Sequence, residues 1–279
     1  MIFFGRTWEI CIIFVFPPRF LAGRSPAAVV CGAGTGRNIK YCSIMKNNTL
    51  PMSKKRKRLS SLLCACAAAL LIAGHASAQQ KDWAQFGRYA EANRKVEIPA
   101  RVVFMGNSIT DNWWQADSLF FLRNNYIDRG ISGQTSAEML VRFRADVLDL
   151  RPKAVVILAG TNDVAGNNGY IAPEHTFGNI VSMVELSRAH GIRVVLCSIL
   201  PAYDFPWRPG LEPAGKIIRL NERLKGYARE QGIPYVDYHS ALKDERGGLP
   251  EMYSRDGVHP TLEGYKIMEG LVEEAIREV

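Results

Sequence analysis

The sequence is short of cysteine where an oxidised scaffold would need it. Six cysteines occur in 279 residues, but five (Cys11, Cys31, Cys42, Cys64 and Cys66) precede residue 78 and only Cys197 follows it. A disulfide framework within the C-terminal part is thereby excluded. Cys197 lies in the apolar run RVVLCSIL with no base beside it, which is the setting of a buried structural thiol rather than of a nucleophile. Acidic residues are scarce at the other end. Residues 1–78 contain Glu9 alone against 11 of the 35 Lys and Arg, so residues 79–279 hold 24 basic and 26 acidic groups. The formal charge of +8 therefore does not describe the body of the chain, and no nucleic-acid partner is expected. Internal repeats, low-complexity linkers and clusters of residues with metal-ligand spacing are also missing, so neither a metal nor a cofactor is expected.

The N-terminal part contains instead a recognisable address. Lys54 to Arg58 form a basic run, Leu62 to Ala73 an apolar one too short to span a bilayer comfortably, and Ala76-Ser77-Ala78 a small-residue triplet. That order predicts a signal peptide over 52–78, cleaved after Ala78, and a secreted or periplasmic product. Cys66 has almost no apolar chain ahead of it, so lipoprotein anchoring is not expected, nor is stable membrane insertion after cleavage. Residues 1–51 have no place ahead of such a signal, and their apolar stretch is broken by Glu9, Pro17 and Pro18; an upstream translation start is the expected reason. The mature chain, 79–279, is then long enough for one domain with a sizeable core.

Within it, short apolar runs alternate with segments of helical period. RVVFMG (101–106), YIDRGI (126–131), KAVVILAG (153–160), IRVVLCSIL (192–200) and IPYVDY (233–238) have the nearly unbroken apolar character of parallel strands buried on both faces. Between them, apolar residues recur three and four apart, as at Phe177, Ile180, Val181 and Val184, with His190-Gly191 as the stop. Repetition of strand and helix predicts a three-layer α/β domain around a mostly parallel sheet of about five strands, preceded by a helical arm over 79–98. Ligands should gather at the carboxyl ends of the strands.

Polar residues with chemical potential fall where that rule puts them. Gly106-Asn107-Ser108 follows the first strand, Ser132-Gly133-Gln134-Thr135 the second and Gly160-Thr161-Asn162-Asp163 the third, while Asp256 and His259 lie three apart after the fifth. A serine hydroxyl is a weak nucleophile until a base takes its proton, and a neutral histidine needs its other nitrogen held to present the right tautomer. Ser108 is the candidate nucleophile, His259 the base and Asp256 the orienting carboxylate. Candidate donors to a developing oxyanion are the backbone N–H groups of Ser108 and Gly133 and the side-chain amide of Asn162. His175, His190 and His239 have no comparable context.

GNSIT, ISGQTS, GTND and DGVHP resemble, in order and approximate spacing, the four blocks of the SGNH (GDSL-type) hydrolases. The resemblance runs from about Arg101 to the end. It implies a flavodoxin-like α/β/α sandwich, an esterase, the four signature roles for Ser108, Gly133, Asn162 and His259, and Asp256 as the triad acid. One position departs: the family's first block usually has aspartate where this chain has Asn107, which bears on the electrostatics around Ser108 and not on its role.

Specificity is sought in PAYDFPWRPGLEPAGK (201–216), a long connection after the fourth strand. Trp207 is a candidate to stack on a sugar and Arg208 to meet an anionic group; the competing reading has Tyr203, Phe205 and Trp207 pinning the loop as a local apolar cluster. Trp114 and Asn107, next to the nucleophile, are further candidates for substrate contact. No long apolar lid is visible, which favours short acyl groups on a small-molecule or oligosaccharide carrier. The expected activity is a carbohydrate O-acetylesterase. Its rivals are a lysophospholipase- or thioesterase-type lipid esterase and, from another class, a catalytically silent glycan-binding module.

Overall fold

The computed structural model describes residues 82–96 and 98–279, together with two short strands nearer the N-terminus. Those strands, Ile12–Phe14 and Val29–Cys31, pair antiparallel within a unit that spans Met1–Gln79. The expected signal segment and cleavage site lie outside the described residues.

Five parallel strands form the sheet of the second unit: β1 (Val102–Gly106), β2 (Tyr126–Gly130), β3 (Ala154–Leu158), β4 (Arg193–Cys197) and β5 (Tyr235–Val236), in the order β2-β1-β3-β4-β5. All five residues of β1 and of β3 are buried, as strands covered on both faces must be. The order reverses direction at β1, so a crevice is expected outside the carboxyl ends of β1 and β3.

Alternate strand residues feed opposite layers. Val103, Met105, Val155, Ile157, Val194 and Leu196 pack with helices α4 (Ser136–Asp146), α6 (Pro173–Ala189) and α7 (Pro213–Gln231). Phe104, Val156, Val195 and Cys197 pack with α2 (Ser108–Ala116), α3 (Ser118–Asn124), α8 (Tyr238–Leu242) and α9 (Leu262–Arg277). Helix α1 (Ala90–Arg94) precedes the sheet, and the single turn α5 (Thr161–Val164) follows β3. The second layer is rich in rings: Trp113 stacks between Phe120 and Tyr265, each 5.2 Å away. Cys197 is buried, and burial pushes its thiol up to about 12, which removes it as a nucleophile at neutral pH.

Three boundaries differ from expectation. The arm is not one helix: residues 83–89 are turns and only Ala90–Arg94 is helical. The Asp82 carboxylate accepts from the Phe86 and Gly87 N–H groups and Gln85 has φ 57°, so local side-chain bonding competes with the helix there. The fifth strand shrinks to two residues because Asp237 already caps α8 through the Ser240 N–H. The segment 201–216 is loop only as far as Glu212, since Pro213 opens α7, where a missing N–H costs nothing.

Candidate active site

Four connections bring the candidate residues to the carboxyl edge of the sheet. Between β1 and α2 the chain turns at once: a Cβ on Gly106 would lie 2.0 Å from Thr110 Oγ1, so only glycine permits the helix to start there. Asn107 then caps α2, its Oδ1 accepting from the Ile109 N–H at 3.0 Å. Ser108 is thus the first residue of a helix, where a backbone N–H has no carbonyl of its own helix to donate to. Its side chain meets the far end of the chain: Oγ is 2.8 Å from His259 Nε2.

Behind that contact, His259 Nδ1 is 2.7 Å from Asp256 Oδ2. The other carboxylate oxygen, Oδ1, accepts from the backbone N–H groups of Val258 (2.9 Å) and His259 (2.8 Å) and from Ser254 Oγ (3.1 Å). The three-residue spacing is therefore an Asx-type turn that folds the carboxylate back onto its own histidine. Burial alone would raise the Asp256 pKa, but the bonds from the His259 N–H, the His259 ring and the Val258 N–H prevail and hold it down at about 2. With Asp256 ionised, the Nδ1–H tautomer is favoured and Nε2 is left to accept the Ser108 proton.

Gly133 lies in the turn after β2 at φ 83°, with nothing within 4 Å of where a Cβ would stand. The flanking N–H groups are committed, Ser132 to Asp111 Oδ2 and Gln134 to the Ile131 carbonyl. Asn162, buried on α5, donates from Nδ2 to the Gln134 carbonyl at 2.9 Å and accepts at Oδ1 from Asn167 Nδ2 at 2.9 Å. An amide nitrogen has two hydrogens, so a second donor on Asn162 remains. Its neighbour Asp163 accepts from both the N–H and the Oγ of Ser136, which fixes the start of α4 against α5.

The structure sorts the candidates for substrate contact. Asn107 is 1% exposed and occupied with its cap, so it faces the helix rather than a ligand. Trp114 is half-exposed but leans on Phe121, 5.7 Å away. In the long loop Phe205 is fully buried and Trp207 packs on it with ring centroids 5.1 Å apart, as the cluster reading expects, while Tyr203 is exposed; Trp207 is still 42% exposed, and its ring lies 6.2 Å from that of His259. The Arg208 guanidinium lies against Gly166. A cavity of about 530 Å³ is lined by Ala116, Arg255, Asp256, His259, Thr261 and Glu263 among others.

Several supporting residues were not anticipated. Arg142, fully buried, donates to the Gly106 and Arg129 carbonyls, to Gln134 Oε1 and to Asp146; it braces the ends of β1 and β2 and the Gly133 turn together. From the arm, Gln134 Nε2 is held by the Ala84 carbonyl, Tyr89 donates to the Gly130 carbonyl, and Arg88 pairs with Asp111. Asn167 likewise has no signal in the sequence beyond being a polar residue in a loop.

Comparison with known proteins agrees with this geometry. The model of the GDSL-like lipase/acylhydrolase family matches residues 104–267, more than half of the chain. The solved structure of a GDSL-like lipase from Bacteroides thetaiotaomicron is 49% identical, with a TM-score of 0.69 over 70% of this chain and 98% of that one. The esterase TesA of Pseudomonas aeruginosa is 32% identical over 141 residues, 49% of this chain and 61% of that one. An acetylxylan esterase of Xylanibacter ruminicola is 23% identical over 218 residues, 65% of this chain and 44% of that one. The chain thus spans 44% to 61% of the length of these curated relatives. Taken with the four motif-bearing connections between Gly106 and His259, the match establishes that the chain belongs to the GDSL-like lipase/acylhydrolase family.

Proposed function

We propose that the protein is an exported serine esterase that removes short acyl groups, acetyl foremost, from carbohydrate through an acyl-enzyme. The observation that carries the reading is the aligned series Ser108 Oγ, His259 Nε2, His259 Nδ1 and Asp256 Oδ2, at 2.8 and 2.7 Å. His259 takes the Ser108 proton as Oγ attacks the ester carbonyl, and then delivers it to the departing alcohol. Water repeats the sequence on the acyl-enzyme, with His259 again the base and Ser108 regaining its proton. Asp256 stays ionised and stabilises the imidazolium. The oxyanion is received by the N–H groups of Ser108 and Gly133 and by the free Nδ2–H of Asn162.

The carbohydrate part rests on an acetylxylan esterase among the relatives, and the Arg255, Thr261 and Glu263 side chains at the cavity beside His259 offer polar partners to a sugar. Export rests on the leader pattern of residues 52–78, with the domain beginning near residue 79. The test is hydrolysis of p-nitrophenyl acetate and acetylated xylo-oligosaccharides by wild type and Ser108→Ala. Wild type should cleave both, and Ser108→Ala should lose about 10⁴-fold or more in kcat, as removal of a triad member does elsewhere. Preference for long acyl chains would sink the carbohydrate reading, and an unaltered rate in Ser108→Ala would sink the esterase reading.

A further inference from the structure

The asparagine assigned above to the oxyanion is one link in a chain of hydrogen bonds that begins on the specificity loop. Trp207 Nε1–H donates to Asn167 Oδ1 at 3.0 Å, Asn167 Nδ2–H donates to Asn162 Oδ1 at 2.9 Å, and Asn162 Nδ2–H donates to the Gln134 carbonyl at 2.9 Å. The polarity of this chain is set at its two ends. An indole N–H can only donate and a carbonyl can only accept, so neither amide between them can be turned over without setting acceptor against acceptor and donor against donor.

We propose that Asn167 is a positioning residue for the reaction: held by Trp207, it fixes the amide of Asn162 so that the remaining Nδ2–H points out of the chain as an oxyanion donor. The inference rests on the reading of Asn162 as that donor and extends it to residues that touch no reacting atom. Trp207 then serves the site twice, its ring lying 6.2 Å from that of His259 and its N–H setting the orientation of Asn162. The loop from Pro201 to Glu212 is thereby coupled to the oxyanion site, because seating Trp207 beside His259 also completes the chain to Gln134. A misoriented donor weakens the transition state more than the bound ester, so the effect belongs in kcat and not in KM.

The experiment is steady-state hydrolysis of p-nitrophenyl acetate by Asn162→Ala, Asn167→Asp, Trp207→Phe and the two double variants containing Asn162→Ala, with thermal unfolding of each. Asn162→Ala should lose about 10²–10³-fold in kcat, the usual consequence of removing an oxyanion donor. In Asn167→Asp a carboxylate oxygen faces Asn162 Oδ1, and kcat should fall by about tenfold or more, within that ceiling, with KM unchanged. Trp207→Phe keeps an aromatic side chain beside His259, loses the N–H and should lower kcat in the same sense; at an exposed loop position it also serves if Asn167→Asp fails to fold. On the Asn162→Ala background both substitutions should cost less than about twofold, since residues acting through one group are not additive. Equal losses on both backgrounds, or wild-type kcat in folded Asn167→Asp, would overturn the relay alone. Wild-type kcat in Asn162→Ala would overturn the oxyanion assignment and the relay with it.

Discussion

Replacing Asp256 by Asn changes one atom and should nearly abolish turnover. The reason lies in the division of labour between its two oxygens. Oδ1 accepts from two backbone N–H groups, of Val258 and His259, while Oδ2 faces His259 Nδ1. An asparagine must keep its single oxygen on the two N–H groups, since turning it over would set an NH₂ against both. Its nitrogen therefore faces Nδ1, which becomes an acceptor, and the ring proton moves to Nε2, 2.8 Å from Ser108 Oγ. A protonated Nε2 cannot accept the serine proton. The loss expected for an imidazole held in the wrong tautomer is about 10⁴-fold in kcat, or roughly 5.5 kcal/mol of transition-state stabilisation. The assay is p-nitrophenyl acetate hydrolysis beside urea unfolding as a function of pH. The Asp256 pKa is depressed to about 2 from an ordinary 3.8, so its contribution to stability is present above about pH 3.8 and lost as pH falls towards 2. The Asn variant should lack that acid-side fall while remaining folded at neutral pH. Folded Asp256→Asn with kcat within tenfold of wild type would refute the assigned role.

Two further substitutions test the surroundings. Asp128 is buried on β2, one carboxylate oxygen has no partner, and burial, partly offset by the Gly130 N–H, lifts its pKa to about 7. The folded state therefore holds a proton that the unfolded chain releases near pH 4, and stability should fall as pH rises from about 4 to 7; Asp128→Asn should flatten that slope in urea titrations at pH 5 and 8, and an unchanged slope would show that Asp128 is not its source. Asn107→Asp restores a carboxylate at the cap of α2, where a negative charge is favoured by the helix N-terminus, so Tm should hold or rise by a degree or two; the charge next to Ser108 should alter the pH–rate profile, and an unmoved profile would make Asn107 a neutral substitute.

What could be read from the sequence follows from the range of the forces involved. The strands were legible because Val102–Gly106 and Ala154–Leu158 are buried on both faces, which imposes an apolar run on the sequence itself. Ser108, Gly133 and Asn162 were legible because each lies within a few positions of a strand end, and the Asp256–His259 pair, well beyond the last strand, because it is a local turn whose spacing encodes its own hydrogen bonds. Asn107 was misread as a substrate contact because its cap bond to the Ile109 N–H and an exposed contact both suit a polar residue beside a serine. Trp207 and Phe205, two residues apart in one aromatic loop, could not be told apart without knowing which of them the core receives.

The parts that escaped are those defined by partners far away in the sequence. Arg142 occurs in LVRFRAD, where periodicity describes only another helix, yet it is fully buried and bonds to Gly106, Arg129, Gln134 and Asp146. A charge so placed is tolerable only because it is paired with Asp146 and hydrogen-bonded on all three nitrogens, and no local pattern announces the four acceptors. The same holds for the arm, whose Ala84 carbonyl and Tyr89 hydroxyl secure the Gly133 turn from some fifty and forty residues upstream. Motif residues in this fold are chosen by chemistry and so recur in recognisable strings. The residues that hold them still are chosen by geometry, and any donor of suitable reach can serve. It follows that the strings identify the family, while Arg142, Asn167 and the arm, which hold the neighbouring turns, take up their partners only after the chain has folded.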